Sequence, residues 1–249
     1  MSTTWTTFIT LTCLLTSSSS YNAGSDSADT PFYVIKDRDS YCLLARFNLS
    51  VDIHYPKQDG TTGHEAFELK AINISSDSRC GAHETKLSLA ARPNGSAEDW
   101  RIWFTFVKTL FDIQLYYSIG TISFTYVAEP SLLPDIAVHG LQHLNSSDSL
   151  FKAPLGTCYK CETERSVSLQ QQSGGKSTAI LRISSAKIEA FTNSSTGAFS
   201  DKVTTCSADA TEDNIVPIAV GITLAVLIVT ALVVFIIFSR RNRRFYDAT

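Results

Sequence analysis

The sequence predicts an all-β domain followed by one membrane-spanning helix. Three observations support this prediction: apolar and polar residues alternate through most of the chain, one run near the C-terminus carries no charge, and every N-glycosylation sequon precedes that run. Alternation with a period of two is typical of strands with one buried face. We therefore expect one domain of antiparallel strands packed sheet on sheet, over residues 40–208.

The first twenty residues have the features of a secretory signal peptide. Residues 5–15 are apolar but too short to span a bilayer, and serines suitable for cleavage follow them. The mature chain is expected to start near Tyr21. Residues 21–39 include "NAGSDSADTP" and are predicted to be a short, polar, disordered segment.

The stretch "YCLLARFNLSVDIHY" is the clearest strand in the sequence. Arg46, Asn48, Ser50, Asp52 and His54 fall on its polar face. The other face is apolar and consists of Tyr41, Leu43, Ala45, Phe47, Leu49, Val51, Ile53 and Tyr55. Fifteen residues are long for a strand, so we expect a bend or bulge within it.

Similar alternation continues along the chain and predicts further strands. The apolar positions are Trp100, Ile102, Phe104 and Phe106; Ile113, Leu115, Tyr117 and Ile119; Ile122, Phe124 and Tyr126; and Leu181, Ile183, Ile188 and Ala190. "QQQSGGKS" (170–177) predicts a hairpin connection with Gly174 and Gly175 in the turn. We predict no helix outside the membrane, because no other segment keeps a 3.6-residue period.

Residues 215–238 contain no charged side chain, and as a helix they would measure about 36 Å, enough to cross a bilayer core of about 30 Å. A short stalk, 209–214, precedes this run. Four arginines follow it, which predicts a stop-transfer signal and a cytosolic tail over 239–249: Arg240, Arg241, Arg243 and Arg244. Gly221 and Ala225 have the small-xxx-small spacing that permits close helix packing and a homo-oligomer.

Sequons and cysteines both indicate an extracytosolic domain. The five sequon asparagines, all predicted to face the lumen, are Asn48, Asn73, Asn94, Asn145 and Asn193. The mature lumenal chain contains five cysteines: Cys42, Cys80, Cys158, Cys161 and Cys206. Oxidation is the default in that compartment, but five is an odd number, so spacing leaves the pairing open.

Composition and motifs argue against enzymes and nucleic-acid binders. Without the four tail arginines and Asp247, 17 basic and 23 acidic residues remain, so nucleic acid is not an expected partner. There is no G-x-S-x-G and no P-loop, and "HGLQH" from His139 to His143 lacks the glutamate of zinc proteases. Cys158 and Cys161 form a C-x-x-C without the helix or second ligand pair that redox or zinc sites need. No catalytic residue, metal or cofactor is predicted.

Four stretches together resemble the lysosome-associated membrane protein (LAMP) family, over roughly residues 40–249. "CLLARFNLSVDIHY" is similar to the family's opening strand, and "CYKCETE" to its Tyr-[Lys/Arg]-Cys strand. "KIEAFTNSSTGAFSDKVTTC" resembles the strand that runs to its last cysteine. "IVPIAVGITLAVLIV" is similar to its membrane entry, the most specific of the four matches.

The resemblance implies a single β-prism-like domain of two packed antiparallel sheets. It also implies sequential disulfides, Cys42 with Cys80 and Cys161 with Cys206. Cys158 departs from the family pattern; a buried thiol, an intermolecular bridge and half of a C-x-x-C unit are the alternatives for it. Because of the implied pairing, Cys161→Ser is expected to be retained in the secretory pathway.

The resemblance also gives the tail a context. Family members end with Gly-Tyr-x-x-apolar, which clathrin adaptors bind as an extended strand. This chain ends with Phe245, Tyr246, Asp247, Ala248 and Thr249, so the tyrosine is present while the glycine and the apolar end are not. Loss of a buried aliphatic anchor costs about 1.5 to 3 kcal/mol, which makes an adaptor a weaker partner here.

Three functions fit these observations. The first is a structural glycoprotein of endosomal and lysosomal membranes, with some copies at the plasma membrane. The second is a sorting factor that guides a co-trafficked protein, such as a vesicular neurotransmitter transporter bound for synaptic vesicles. The third is a surface adhesion receptor. The lipid bilayer, crossed once, is a partner in all three.

Overall fold

The computed structural model describes residues 30–69, 72–93, 96, 98–171, 177–209 and 222–236. Thirteen strands lie within 30–209, where the described residues contain no α-helix, and a helix covers 222–236. The strands are β1 (Phe32–Asp37), β2 (Ser40–Pro56), β3 (Thr62–Glu68), β4 (Asn73–Ile74), β5 (Glu84–Ala91), β6 (Trp100–Phe111), β7 (Gln114–Ala128), β8 (Gly140–Ser146), β9 (Leu150–Pro154), β10 (Cys158–Cys161), β11 (Arg165–Gln171), β12 (Thr178–Ser194) and β13 (Val203–Thr205). The all-β prediction is confirmed.

Hydrogen bonds connect these strands into one continuous sheet. Its main path runs β1-β2-β12-β11-β8-β7-β6-β5-β4, while β3 pairs with β2, β9 with β7, β10 with β12, and β13 with β10. The sheet curls over so that β2 faces β6, and the rings of Phe47 and Phe104 meet with centroids 5.4 Å apart. The core lies between these two layers.

The predicted arrangement of two antiparallel sheets needs two corrections. The layers are not separate sheets, because hydrogen bonds connect all thirteen strands into one sheet that curls over. One pairing is parallel: β10 and β13 align Cys158 with Val203 and Lys160 with Thr205. This pairing is short. The Cys161–Cys206 disulfide and further backbone hydrogen bonds beyond its paired residues stabilise it.

Strand β2 confirms its predicted faces from Leu43 to Tyr55. The apolar positions are buried, and Asn48 is exposed on the opposite face. The expected bulge lies at Cys42, where the register against β1 shifts by one residue. Tyr41, before the bulge, is only half-buried, and its ring instead carries the Lys36 ammonium 4.3 Å from its centroid.

Strand β7 combines two runs that the sequence presents separately. Buried Tyr117 and Ile119 are odd-numbered, whereas buried Ile122, Phe124 and Tyr126 are even-numbered. The pairing with β6 shifts by one residue at Gly120, and this bulge changes the phase. A Cβ at Gly120 would lie 3.0 Å from Val107 Cγ2, so the small residue lets the two strands stay close.

Strand β12 changes phase in the same way. Leu181 and Ile183 are buried before the register shift between Ser184 and Lys187, and Ile188 and Ala190 are buried after it. Ser185, within the shift, has a φ of 50°, a left-handed conformation. A change of phase in an alternating run therefore marks a bulge.

Two predicted boundaries are wrong. Part of the segment expected to be disordered, 21–39, is strand β1, which pairs with β2 and buries Tyr33 and Ile35. The stalk was predicted to begin at residue 209, but the Asp209 carboxylate is hydrogen-bonded to the domain. The folded domain therefore includes strand β1 at its N-terminal end and Asp209 at its C-terminal end.

The apolar face predicted for 113–119 is also partly wrong. Tyr117 and Ile119 are buried, but Ile113 lies in the turn between β6 and β7 and is almost fully exposed, and Leu115 is exposed as well. These residues extend beyond the end of the opposite layer, so nothing in the described structure covers them.

Several predictions fall outside the described residues: the signal peptide (1–20), Asn94, Gly174 and Gly175, Gly221, the four tail arginines, and the tail residues Phe245, Tyr246 and Thr249. Strands β11 and β12, on either side of the predicted connection 170–177, pair antiparallel. In the part of the chain that is described, no helix meets the length and hydropathy that a membrane crossing requires.

Candidate functional site

The C-terminal strands of the domain form a seam, which we define as β10, β13, the Cys161–Cys206 disulfide and Asp209. Strand β10 lies between β12 and β13, antiparallel to the first and parallel to the second. Backbone hydrogen bonds from Cys158 N to Lys202 O and from Cys206 N to Lys160 O extend the short ladder at both ends. The seam therefore holds the last described residues of the domain against its body.

Tyr117 anchors the seam to β7. Its hydroxyl oxygen accepts a hydrogen bond from the Tyr159 backbone N–H at 3.1 Å. The hydroxyl also donates toward two carbonyl oxygens, Ile188 O at 2.7 Å and Thr157 O at 2.9 Å. Burial raises the pKa of this phenol well above its usual value, so the hydroxyl keeps its proton. One buried hydroxyl thus contacts three backbone groups on two segments, residues 157–159 and β12.

Both predicted disulfides are present in the structure. Cys42 and Cys80 join β2 to the loop before β5, with Cα atoms 5.9 Å apart, and Cys161 and Cys206 join β10 to the end of β13, with Cα atoms 5.2 Å apart. The first pair is half-buried and the second is buried. These Cα separations lie within the ordinary range for a disulfide.

Cys158 is buried and takes part in neither disulfide. Its Sγ lies 3.6 Å from the Tyr159 carbonyl oxygen. Because Cys161 is bonded to Cys206, the C-x-x-C is not a redox pair in this structure. Burial also leaves no surface from which Cys158 could reach another chain. Of the three alternatives, the buried position is the one observed.

Asp209 closes the end of the seam. Its carboxylate accepts hydrogen bonds from the backbone N–H groups of Glu162 (2.6 Å) and Thr163 (2.9 Å), and from the Thr163 hydroxyl (2.6 Å). Desolvation would raise the pKa of this carboxyl, but the Thr163 and Glu162 hydrogen bonds and nearby Lys160 outweigh it, and the pKa is lowered. The carboxylate therefore stays charged in mild acid.

The seam also contains a group of potential metal ligands. Within the described residues, ligand atoms of Cys161, Cys206 and Asp209 lie within 4.8 Å of one another. Both sulfurs belong to one disulfide, and metal coordination by cysteine needs the thiolate. In this oxidised form the group does not fit a metal ion.

The sequon asparagines that the structure describes lie outside the buried core. Asn48 on β2, Asn73 on β4 and Asn193 near the end of β12 are exposed, and Asn145 on β8 is half-buried. These positions lie on four strands, of which β2 and β12 are neighbours in the sheet. His139 and His143 also lie at the surface, where His143 Nδ1 is 2.9 Å from Thr125 Oγ1.

The helix at 222–236 differs from every element of the domain. All fifteen of its residues are exposed, including the predicted packing residue Ala225 and large apolar residues such as Phe235. The hydroxyl of Thr230 hydrogen-bonds to Val226 O (3.0 Å) and Leu227 O (2.8 Å), so its polar group is satisfied within the helix.

Sequence reasoning missed Tyr117, which anchors the seam, and Asp209, which belongs to it. Alternation predicts Tyr117 as a core residue, but its hydroxyl partners come from residues 40 and 71 positions away. Asp209 lies at the start of the predicted stalk. Its three hydrogen bonds come from residues 46 and 47 positions earlier, and no local pattern signals them.

A sequence profile described as "Lysosome-associated membrane glycoprotein 2-like, luminal domains" matches residues 18–207. Among known proteins, the chain is 26% identical to lysosome-associated membrane glycoprotein 1 of Cricetulus griseus over 218 residues and 27% identical to that of Mus musculus over 215 residues. Each match covers 86% of this chain and 47% of the relative. The chain thus spans about half the length of these relatives.

Solved structures show the same fold. The membrane-proximal domain of mouse LAMP-1 matches with a TM-score of 0.56 at 22% identity, covering 72% of this chain and 98% of that domain. The membrane-distal domain of mouse LAMP-2 gives 0.56 at 17% identity, covering 72% of this chain and 99% of that domain. Because the profile matches most of the sequence, this chain belongs to the lysosome-associated membrane glycoprotein family and contains one LAMP luminal domain.

Proposed function

We propose that this chain is a single-pass type I membrane glycoprotein of endosomal and lysosomal membranes, which acts without catalysis through its glycosylated lumenal domain. The observation that carries the proposal is the order of its parts: a LAMP luminal domain over 18–207, then an uncharged run over 215–238, then four arginines. The relatives that support the location are named as lysosome-associated membrane glycoproteins.

The construction of the domain supports a role in an oxidising and acidic lumen. One disulfide joins β2 to the loop before β5 and the other closes the seam, where a carboxylate with a lowered pKa stays charged in mild acid. Sequon asparagines lie on four strands, three of them exposed, so glycans attached there would shield the backbone from hydrolases. A domain built in this way would cover the lipid beneath it.

The uncharged run supports single-pass anchoring. Every described residue from 222 to 236 is helical with its side chain exposed, and nearly all are apolar. In water such a surface is unfavourable, whereas a bilayer would accept it because a helix satisfies its own backbone hydrogen bonds. The arginines that follow support a cytosolic tail by the positive-inside rule.

The tail favours a second candidate function. Family signals end with an apolar side chain, and here the corresponding residue is Thr249, with Phe245 in place of the glycine. A weakened adaptor signal fits a sorting factor that travels with a partner membrane protein, for example to synaptic vesicles. An adhesion receptor needs the lumenal domain alone, and no feature of the structure favours it over the other two.

Imaging a full-length copy tests the proposal and separates the candidates. A tag placed in the lumenal segment leaves the C-terminus free, and markers for lysosomes, synaptic vesicles and the plasma membrane are compared. We expect endosomal and lysosomal staining that moves toward the plasma membrane in Tyr246→Ala, with Thr249→Ala as a matched tail control. Staining confined to synaptic vesicles would favour the sorting factor. Exclusive surface staining of the unaltered chain would contradict lysosomal delivery.

A further inference from the structure

The β6–β7 hairpin ends in an apolar surface that the core does not use. Leu110 is 65% exposed, Phe111 63%, Ile113 95% and Leu115 42%. We call these four residues the hairpin tip. Leu110 lies opposite Leu115 in the pairing, and Ile113 is in the turn between the strands.

Both faces of this hairpin end are apolar. Leu110 and Leu115 continue the face that carries buried Tyr117. On the other face the rings of Phe111 and Tyr116 lie 6.3 Å apart, edge to face. A strand that meets water normally carries polar residues on one side at least, so a cluster exposed on both faces marks an interaction site.

Two lysines lie at the base of the tip. The Lys152 ammonium is 4.6 Å from the ring centroid of Phe111 and 4.9 Å from that of Tyr116, and the Lys108 ammonium is 4.5 Å from the ring centroid of Phe191. Asp112 in the turn contributes one negative charge, so the hairpin end has a net charge of +1 within a chain whose net charge is −3.

We propose that the hairpin tip inserts into the lumenal surface of the lipid bilayer that anchors this chain, with Lys108 and Lys152 at the level of the headgroups. Apolar and aromatic side chains bordered by lysines match the boundary between acyl chains and headgroups. The inference rests on the proposed membrane anchor.

The proposed membrane anchor is also the reason for choosing a bilayer, rather than a second protein, as the partner that contacts the hairpin tip. Five residues, 210–214, connect the end of the described domain to the uncharged run over 215–238. Fully extended they reach about 17 Å, so the domain stays beside the lipid surface. A tether of this length holds the domain near the membrane at an effective concentration of about millimolar, which a weak apolar contact needs.

Fluorescence quenching by lipid tests the proposal. The full chain carrying Ile113→Trp is incorporated into nanodiscs of phosphatidylcholine and phosphatidylserine whose acyl chains carry bromine, a quencher of tryptophan. The matched control is Val138→Trp, an exposed apolar residue near the opposite end of β7. Emission is measured relative to the unaltered chain, which accounts for Trp100 and Trp103.

We expect the emission added by Ile113→Trp to be largely lost in brominated nanodiscs and retained in unbrominated ones, and that of Val138→Trp to be equal in both. Equal emission from Ile113→Trp in both nanodiscs would overturn the proposal, whether a blue shift showed burial against protein or a red shift showed exposure to water. Failure of the unaltered chain to co-purify with nanodiscs would overturn membrane anchoring as well, which separates the two failures.

Discussion

The two ends of strand β6 have the same kind of sequence and opposite environments. Phe104, in its first half, is fully buried and contacts Phe47 on β2, whereas Phe111, in its last position, is mostly exposed and contacts Lys152. Large apolar side chains occur along the whole strand. The difference is the presence of an opposite layer, which covers one end and not the other.

This contrast separates two reasons for keeping a large apolar residue. At the buried end such a residue stabilises the fold by leaving water, and its removal leaves a cavity. At the exposed end it contributes little to folding, so its role must concern a partner, which we propose is the bilayer. Tyr117, which pairs with Lys108, lies between the two ends.

Matched phenylalanine substitutions in β6 test the contrast most strongly. Phe104→Ala should lower the free energy of unfolding of the lumenal domain by about 3 to 5 kcal/mol, since it removes a buried ring. Phe111→Ala should lower it by less than about 1 kcal/mol, since only an exposed ring and a lysine contact are lost. Denaturant unfolding of both variants measures the two values. Similar losses would show that the hairpin tip is part of the folded core.

Removing the disulfide of the seam should destabilise the folded domain. The Cys161–Cys206 disulfide closes a loop of 45 residues, so Cys161→Ser with Cys206→Ser should cost roughly 4 kcal/mol in the chain-entropy model. We expect this variant to be retained early in the secretory pathway, as measured by sensitivity of its glycans to endoglycosidase H. Phe111→Ala should mature normally as the control. Normal maturation of the disulfide variant would contradict a structural role for the seam.

A smaller change, removal of one hydroxyl group, tests whether the buried Tyr117 anchors the seam. Tyr117→Phe keeps the buried ring but leaves the Tyr159 N–H and the carbonyls of Ile188 and Thr157 without their partner. The expected loss is about 1 to 3 kcal/mol in the free energy of unfolding. Tyr116→Phe, on the exposed face of the same strand, should change it very little. Equal effects would mean that the hydroxyl of Tyr117 does not anchor the seam.

The smallest expected effect is at Asp209 and depends on pH. The pKa of this carboxyl is lowered from 3.8 in the fold, so its contribution to stability is present above that pH and is lost as pH falls through the lower folded value. Asp209→Asn should therefore be slightly less stable than the unaltered domain at neutral and mildly acidic pH, and the difference should shrink below about pH 4. Thermal unfolding across this range measures it. A difference that grew on acidification would contradict the assigned sign.

Much of the core could be predicted from alternation alone. The buried face of β2 from Leu43 to Tyr55 and that of β6 from Trp100 to Phe106 follow the sequence directly, because each residue's side is fixed by the period of the strand. The changes of phase around Gly120 and Ser185 are also visible as shifts from odd to even positions, but alternation alone does not distinguish a bulge within one strand from the end of a strand.

The remaining features depend on contacts between distant residues. Ile113 and Leu115 continue an apolar pattern, and only the limit of the opposite layer shows that they are exposed. The parallel pairing of β10 with β13 and the hydrogen bonds of Asp209 join residues more than forty positions apart. The disulfide pairing came from family resemblance, since spacing among five cysteines leaves it open.

Protease treatment of sealed microsomes tests the central claim most directly, namely that a glycosylated β domain lies on the lumenal side of a membrane that the chain crosses once near its end. The full chain is translated with microsomes, digested from outside, and then treated with peptide N-glycosidase. We predict that protease removes only the short tail, and that deglycosylation then shifts the protected fragment to lower mass. Digestion of most of the chain, or a mobility unchanged by the glycosidase, would contradict the account.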